Sequence, residues 1–385
     1  NGAKFFGLLR SLVGIFLFGI QTYFLSKLVV YLIRILIFSI DNTLLDQEIF
    51  LTFLLGLNII DWISILLVIV FQTMLFSIGI QYNKKLINYS AIIVYAGMII
   101  FFLTVFLSDV KTTTQAFSNI LNFENFLKQN NILPLITVAG TIFAYFSIVI
   151  VSFGDFTRYV NNERDLTKGN LSLILNLIIF SFFSIAIVVG SDVFLNQKFQ
   201  DLDRIFTNPT DIIGKFDNLQ ITIVVLFFII IASASTNLVA NYIPSQYSLI
   251  NFLPNKLNLK SASYTISFLG LIVGIFWLTV LSQIGILSFV DTFSCFFGPL
   301  FGVIIADYYL IKNQTLSNKD LYSIENQSAY YYSKGWHIKG TYSIILGFIF
   351  SASTIWNTNL MFLQSYAWII GAFISWLTYY LLAKK

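Results

Sequence analysis

The residues best placed to do chemistry lie between Ile221 and Tyr242, where the apolar run ITIVVLFFIII passes without a charge into ASASTNLVANY. A helix of about 20 residues spans a bilayer core, so the hydroxyls and amides of the second half fall at membrane depth. Polar groups are expensive there and generally have a use. At about 100° per residue, Ala232, Ser235 and Thr236 share one face of such a helix, while Asn237 and Asn241 share another. The first face offers neutral oxygens suited to a small hard cation such as Na⁺. The second offers two amides, each a donor and an acceptor, suited to a planar polar solute. Spacing alone leaves a plainer use open, in which small residues let helices approach and amides hold them together. Ala232 and Asn241 lie about half a turn apart on an ideal helix. The two faces then point in opposite directions, so a single shared pocket is not expected, and coupling has to pass through a kink or through motion of the helix as a unit.

These residues need a membrane scaffold, and the composition supplies one. Of 385 residues 57% are hydrophobic and 10% charged, whereas about a quarter of a soluble domain is charged. The chain is expected to be an all-α polytopic membrane protein with a single transmembrane domain. Spans are expected near residues 8–38, 59–81, 88–107, 132–154, 171–194, 219–242, 262–282, 285–311, 338–356 and 362–383. Lys and Arg gather about three to one on one set of alternate loops and ends, which places both termini in the cytoplasm. Cys295 and His337 are the only residues of their types. An intrachain disulfide and a multi-cysteine metal site are thereby excluded, and histidine-based chemistry is thin. The chain begins at Asn1 inside a pre-helix segment, and an N-terminal truncation is expected.

Elsewhere the first span carries Gln21 near its middle, with Gly19, Phe16, Phe18 and Tyr23 around it as a wall for a ring-shaped ligand or as interhelical glue. Lys27 and Arg34 lie in its outer half. Snorkelling is the simplest account of both, with Lys27 as a gate or counter-charge the functional alternative. The fourth span is expected to be interrupted at Pro134, Gly140 and Gly154, as in transporters whose broken helices expose backbone to a cargo. Tyr145 and Phe146 are candidates to stack on that cargo. In GDFTRY, which follows, Asp155 and Arg158 are spaced to pair across one helical turn. The segments 108–131 and 196–218 read as solvated surface; the second holds Asp201, Asp203, Asp211 and Asp217 without a calcium-loop pattern. Pro244 and Pro254 are expected to end helical segments, and Gly298, Pro299 and Gly302 to permit a bend. The last two spans read as structural.

FGIQTY in the first span, GDFTRY after the fourth, STNLVAN in the sixth, GPLFGVIIADYYLIKNQTLSNKDLY across the end of the eighth and the final YAWIIGAFISWLTYYLL occur in an order that resembles the nucleobase:cation symporter family. These are transporters of cytosine, uracil, allantoin, hydantoins and related compounds, and the resemblance runs from Gly2 to Leu382. It implies two inverted five-helix repeats followed by two further helices, with the spans of this chain corresponding to helices three to twelve. It also implies a coupling cation at the Ala232 carbonyl and the Ser235 and Thr236 hydroxyls. The solute would be bonded by Asn241 and Gln21, with Asn237 in support. Family members commonly sandwich the ring between two tryptophans. Leu17 and Phe146 stand at the matching positions, which implies a smaller, tilted or non-aromatic solute.

The function expected is therefore a secondary active symporter importing a nucleobase or related cyclic ureide by alternating access. Na⁺ is favoured as the coupling ion because the central helix lacks acidic residues, with H⁺ open through Asp192 or Asp291. The alternatives are a receptor binding the same solutes without moving them and an intramembrane enzyme, for which no catalytic cluster is legible. No other cofactor and no nucleic-acid partner is expected. The chain is read as a monomer in the plasma (inner) membrane.

Overall fold

The structure, a computed structural model, describes residues 2–41, 43–107, 109–120, 129–198, 212–215, 218–283, 285–321, 323 and 325–384. Ten of its helices are long and apolar enough to cross a membrane. In chain order the principal helices are α1 (Gly2–Ile40), α2 (Ile59–Ser77), α3 (Ile80–Phe106), α4 (Val110–Ile120), α5 (Gln129–Val151), α6 (Glu163–Lys198) and α7 (Leu219–Thr236). They continue with α8 (Ile243–Phe252), α9 (Leu259–Thr279), α10 (Ile286–Ile305), α11 (Ile338–Trp356) and α12 (Ala367–Ala383). A π-helical turn, Asn237–Tyr242, joins α7 to α8 without a break, and a second, Ala306–Ile311, extends α10.

The helix starts are written in local sequence. Asn58 and Asp61 form a reciprocal capping box at α2, Asn258 and Ser261 form another at α9, and Asn218 accepts from the backbone of Ile221 at α7. Each satisfies backbone donors that would otherwise be orphaned at a helix N-terminus.

Helix α1 is the axis of one group, packed against α2, α7, α8 and α9. It can come that close because its contact positions are small. A Cβ on Gly14 would meet the Ser245 side chain and, at 3.0 Å, the Asn241 carbonyl. One on Gly19 would lie 2.5 Å from the Gly270 carbonyl. A second group consists of α5, α10, α11 and α12, and α6 packs on α3 and α4. The two groups meet where Val13, Ile148 and Phe297 cluster.

Several expectations are corrected. Helix α5 runs unbroken through Pro134 and Gly140, and the chain breaks only at 152–153. Gly140 is there for contact, since a Cβ would collide with the Ser365 carbonyl. Gly298 and Gly302 likewise abut the backbone of Trp368 and Ala372 in a continuous α10. Pro244 does not end a helix. It stands at the start of α8 directly after the π turn, and the helical chain runs on through it although its ring nitrogen donates no hydrogen bond. In 108–131 the described part is helical, with Thr113 fully buried. In 196–218, Ile212 and Ile213 are packed with Leu25, Leu28 and Val225 in the core, while Asp201, Asp203, Asp211 and Asp217 lie outside the described residues.

Candidate functional site

The π turn is the centre of the site. It spaces backbone hydrogen bonds five residues apart, so each residue turns by less than the ~100° of an α-helix. Asn241, within the turn, is thereby rotated from where an ideal helix would place it relative to Ala232, whereas Asn237 directly follows the regular α7. The opposition of faces that regular spacing predicts is reduced by this local irregularity.

Three amides interlock at this turn. Asn241 donates from Nδ2 to Gln21 Oε1 at 2.8 Å and to Asn237 Oδ1 at 2.9 Å. Asn237, fully buried, donates to the Phe18 carbonyl at 3.3 Å and to Thr22 Oγ1 at 3.2 Å. Gln21 donates to the Ser233 carbonyl at 3.1 Å. Thus Gln21 holds both the amide pair and the peptide next to Ala232. Asn237 is bonded at both ends, so for it interhelical adhesion is a sufficient account. Asn241 is only 4% exposed, yet its Oδ1 accepts no hydrogen bond among the described residues.

The second constellation also assembles. Ser235 Oγ and Thr236 Oγ1 both donate to the Ala232 carbonyl, at 3.1 and 2.8 Å, which gathers three neutral oxygens in one corner with Thr236 exposed. Their chemistry fits a hard cation. To bind one, both hydroxyl protons must turn away from the carbonyl. Ala232 also borders an apolar cavity of about 290 Å³ with Gly97, Phe101, Phe228 and Ile229. Neither Gln21, Asn237 nor Asn241 lines it.

The aromatic partners are less closely gathered. Tyr145 and Phe146 meet each other edge to face, centroids 5.4 Å apart, and both remain exposed. Leu17 packs between α1 and α5 beside Val13 and Ile148. Phe18 is not a ligand wall, because it is sealed against Tyr242 at 5.6 Å. Phe16 meets Phe289 instead.

Two charge assignments change. Asp155 pairs with Arg10 of α1 at 3.0 Å, not with Arg158. Arg158 lies over the Tyr247 ring at 3.8 Å, and the Tyr159 and Tyr247 hydroxyls are 2.7 Å apart. A planar guanidinium stacks readily on an aromatic face, so the helical i, i+3 spacing lost to tertiary partners. Arg10 also donates to Ser248, so this side chain ties α1, the Gly154–Thr157 turn and α8 together. Burial raises the Asp155 carboxyl above its usual range, and Arg10 and Arg158 only partly offset it. Lys27 has a counter-charge. It pairs with Asp61 at 2.7 Å, the same carboxylate that accepts from the Asn58 backbone. Asp291 accepts from Gln364 at 2.6 Å.

Sequence reasoning missed Thr22, Gln72, Asp61, Tyr247 and Ser248. Gln72 carried a signal, as a lone amide in the apolar run ILLVIVFQTMLF. The others needed a partner from a distant part of the chain.

Residues 1–371 match the family described as permease for cytosine/purines, uracil, thiamine, allantoin. The chain belongs to this family. It is a family of permeases, not of enzymes. Among similar proteins, the allantoin permease of Bacillus subtilis (strain 168) is 29% identical over 244 residues, 63% of this chain and 48% of the relative. The purine-uracil permease NCS1 of Arabidopsis thaliana is 24% identical over 255 residues, 63% of this chain and 41% of that protein. The chain spans about half the length of the curated relatives it matches. Mhp1, a nucleobase-cation-symport-1 family transporter solved in a closed conformation with bromovinylhydantoin bound, superposes with a TM-score of 0.66 at 18% identity, over 98% of this chain and 74% of that one. The family member described by this chain is an integral membrane protein of that fold.

Proposed function

We propose that this permease takes up a nucleobase or related cyclic ureide together with a cation, Na⁺ in preference to H⁺, by alternating access. The observation that carries this reading is the Oδ1 of the nearly buried Asn241, which accepts no hydrogen bond among the described residues, at the end of an otherwise satisfied amide set on a π turn in an apolar span. The solute binds Asn241 and Gln21, exchanging with the bond between them, and Asn237 holds Asn241 in place. Leu17, Phe146 and Tyr145 flank the solute on the α1 and α5 sides. Na⁺ binds the Ala232, Ser235 and Thr236 oxygens. Because Gln21 also holds the Ser233 carbonyl, filling either site shifts the other's neighbour, and a ligand moves the equilibrium only by its differential affinity for the two states. Arg10, Asp155, Arg158 and Tyr247 close the cytoplasmic end, with both termini on that side, and the Lys27–Asp61 pair braces the outer half. The relatives named for allantoin, purine-uracil and, in Microbacterium maritypicum, hydantoin support the solute class. The test is counterflow of labelled uracil, allantoin and hydantoin in liposomes containing the chain, with and without Na⁺. Accumulation lost in Asn241→Ala supports the reading. Binding without counterflow would make the protein a receptor, and the absence of both binding and counterflow would refute the reading.

A further inference from the structure

The donor and acceptor ends of the three amides are fixed by groups that have no choice. A backbone carbonyl can only accept. The Phe18 carbonyl accepts from Asn237 Nδ2, which turns Asn237 Oδ1 toward Asn241. The Ser233 carbonyl accepts from Gln21 Nε2, which turns Gln21 Oε1 toward Asn241. Two oxygens therefore converge on Asn241, and its Nδ2 must face them both. Flipping Asn241 would set oxygen against oxygen twice. The end left over is Oδ1.

A relay behind Asn237 completes the lock. Asn237 Nδ2 also donates to Thr22 Oγ1, which is a good acceptor there because its own proton is given to Gln72 Oε1 at 2.9 Å. Gln72 is 1% exposed, and its Nε2 finds no partner among the described residues. A buried donor left unpaired is unfavourable, so the bonding of Gln72 itself does not account for its place in α2. What its position does achieve is an oxygen aimed at Thr22.

We propose that Thr22 and Gln72 are positioning residues for solute recognition: by fixing Asn237 they hold Asn241 as an acceptor, so a solute is admitted only if it presents a ring N–H to Asn241 Oδ1. This rests on the reading of Asn241 as a solute contact. It narrows the solute to lactam, imide or ureide rings with a free N–H and disfavours rings whose corresponding nitrogen is alkylated. Neither Thr22 nor Gln72 touches the solute.

The experiment compares binding of hydantoin, uracil and allantoin with that of 1-methylhydantoin, 3-methylhydantoin and the N-methyluracils, using the full chain in nanodiscs with and without Na⁺. In the unmodified protein, methylation at one ring nitrogen weakens binding by about 100-fold, as expected where a polar site loses its partner. Thr22→Val and Gln72→Met, both near-isosteric, lower that ratio to about tenfold or less, chiefly by weakening the parent compounds. Thr22→Ser, which keeps the hydroxyl, restores it. An equal loss for parent and methylated compounds in both variants would make Thr22 and Gln72 merely structural and overturn the proposal. So would an unchanged ratio, or an unmodified protein that binds both compounds alike, and in each case the transporter reading stands. If no compound binds under any condition, the proposal and that reading fall together.

Discussion

Substituting Gly19 by alanine tests whether the closeness of α1 positions the amide site. The new Cβ would lie 2.5 Å from the Gly270 carbonyl and 2.7 Å from Val273 Cβ. Ordinary contact begins near 3.4 Å, so α1 and α9 must part by most of an ångström, and the nearest obstacle is backbone that cannot rotate aside. Overpacking of this kind costs about 1–3 kcal/mol. Gln21 is two residues away on the same helix, and a shift of that size carries its 2.8 Å bond to Asn241 to the limit of a hydrogen bond. Losing that placement weakens solute binding by about 10-fold or more. Gly7 on the same helix is the control, because a Cβ there meets nothing within 4 Å. Gly7→Ala gains up to about 1 kcal/mol of helix propensity. Thermal unfolding in detergent and binding of labelled uracil or hydantoin give the readouts. The expected order is Gly7→Ala at or above the parent and Gly19→Ala well below it. Equal stability and affinity for the two variants would show that α1 does not pack as tightly as these distances require.

Ser235→Ala combined with Thr236→Ala removes two of the three oxygens in the proposed cation corner, and the Na⁺ concentration giving half-maximal uptake should rise at least tenfold; an unaltered Na⁺ titration would point to protons or to no coupling. Asp155 has a folded pKa raised by burial, so the folded state holds that proton more tightly than the unfolded one. Stability should therefore fall as pH rises from the ordinary carboxylate pKa through the raised one and then level off, and Asp155→Asn should flatten the profile measured by unfolding. Lys27→Met strands the nearly buried Asp61 carboxylate. It should cost about 1–3 kcal/mol, less than a fully buried pair because Lys27 is partly exposed, and adding Asp61→Asn should recover part of the loss in the same unfolding assay.

The sequence by itself determined that this is a helical membrane protein, because a charge-poor chain with repeated apolar runs has no other way to satisfy its backbone in lipid. It also showed which hydroxyls and amides fall in the middle of such a run. Ser235, Thr236, Gln21 and Asn241 stood out as candidates for that reason. Regular geometry then misled at particular points. A constant 100° per residue set the cation corner against the amide face, and only the folded chain has the π turn at Asn237–Tyr242 that changes the angle. Helical spacing paired Asp155 with Arg158, whereas the fold brings Arg10 from more than a hundred residues away to one and Tyr247 to the other. Gly140, Gly298 and Gly302 looked like breaks because a glycine's effect on its own helix is local and readable. The carbonyl of another helix pressed against it is not. Most of all, the direction of the hydrogen bonds was decided by tertiary structure. An amide in a sequence is equally donor and acceptor, and it takes the Phe18 and Ser233 carbonyls, brought in from different helices, to choose which end Asn241 keeps free.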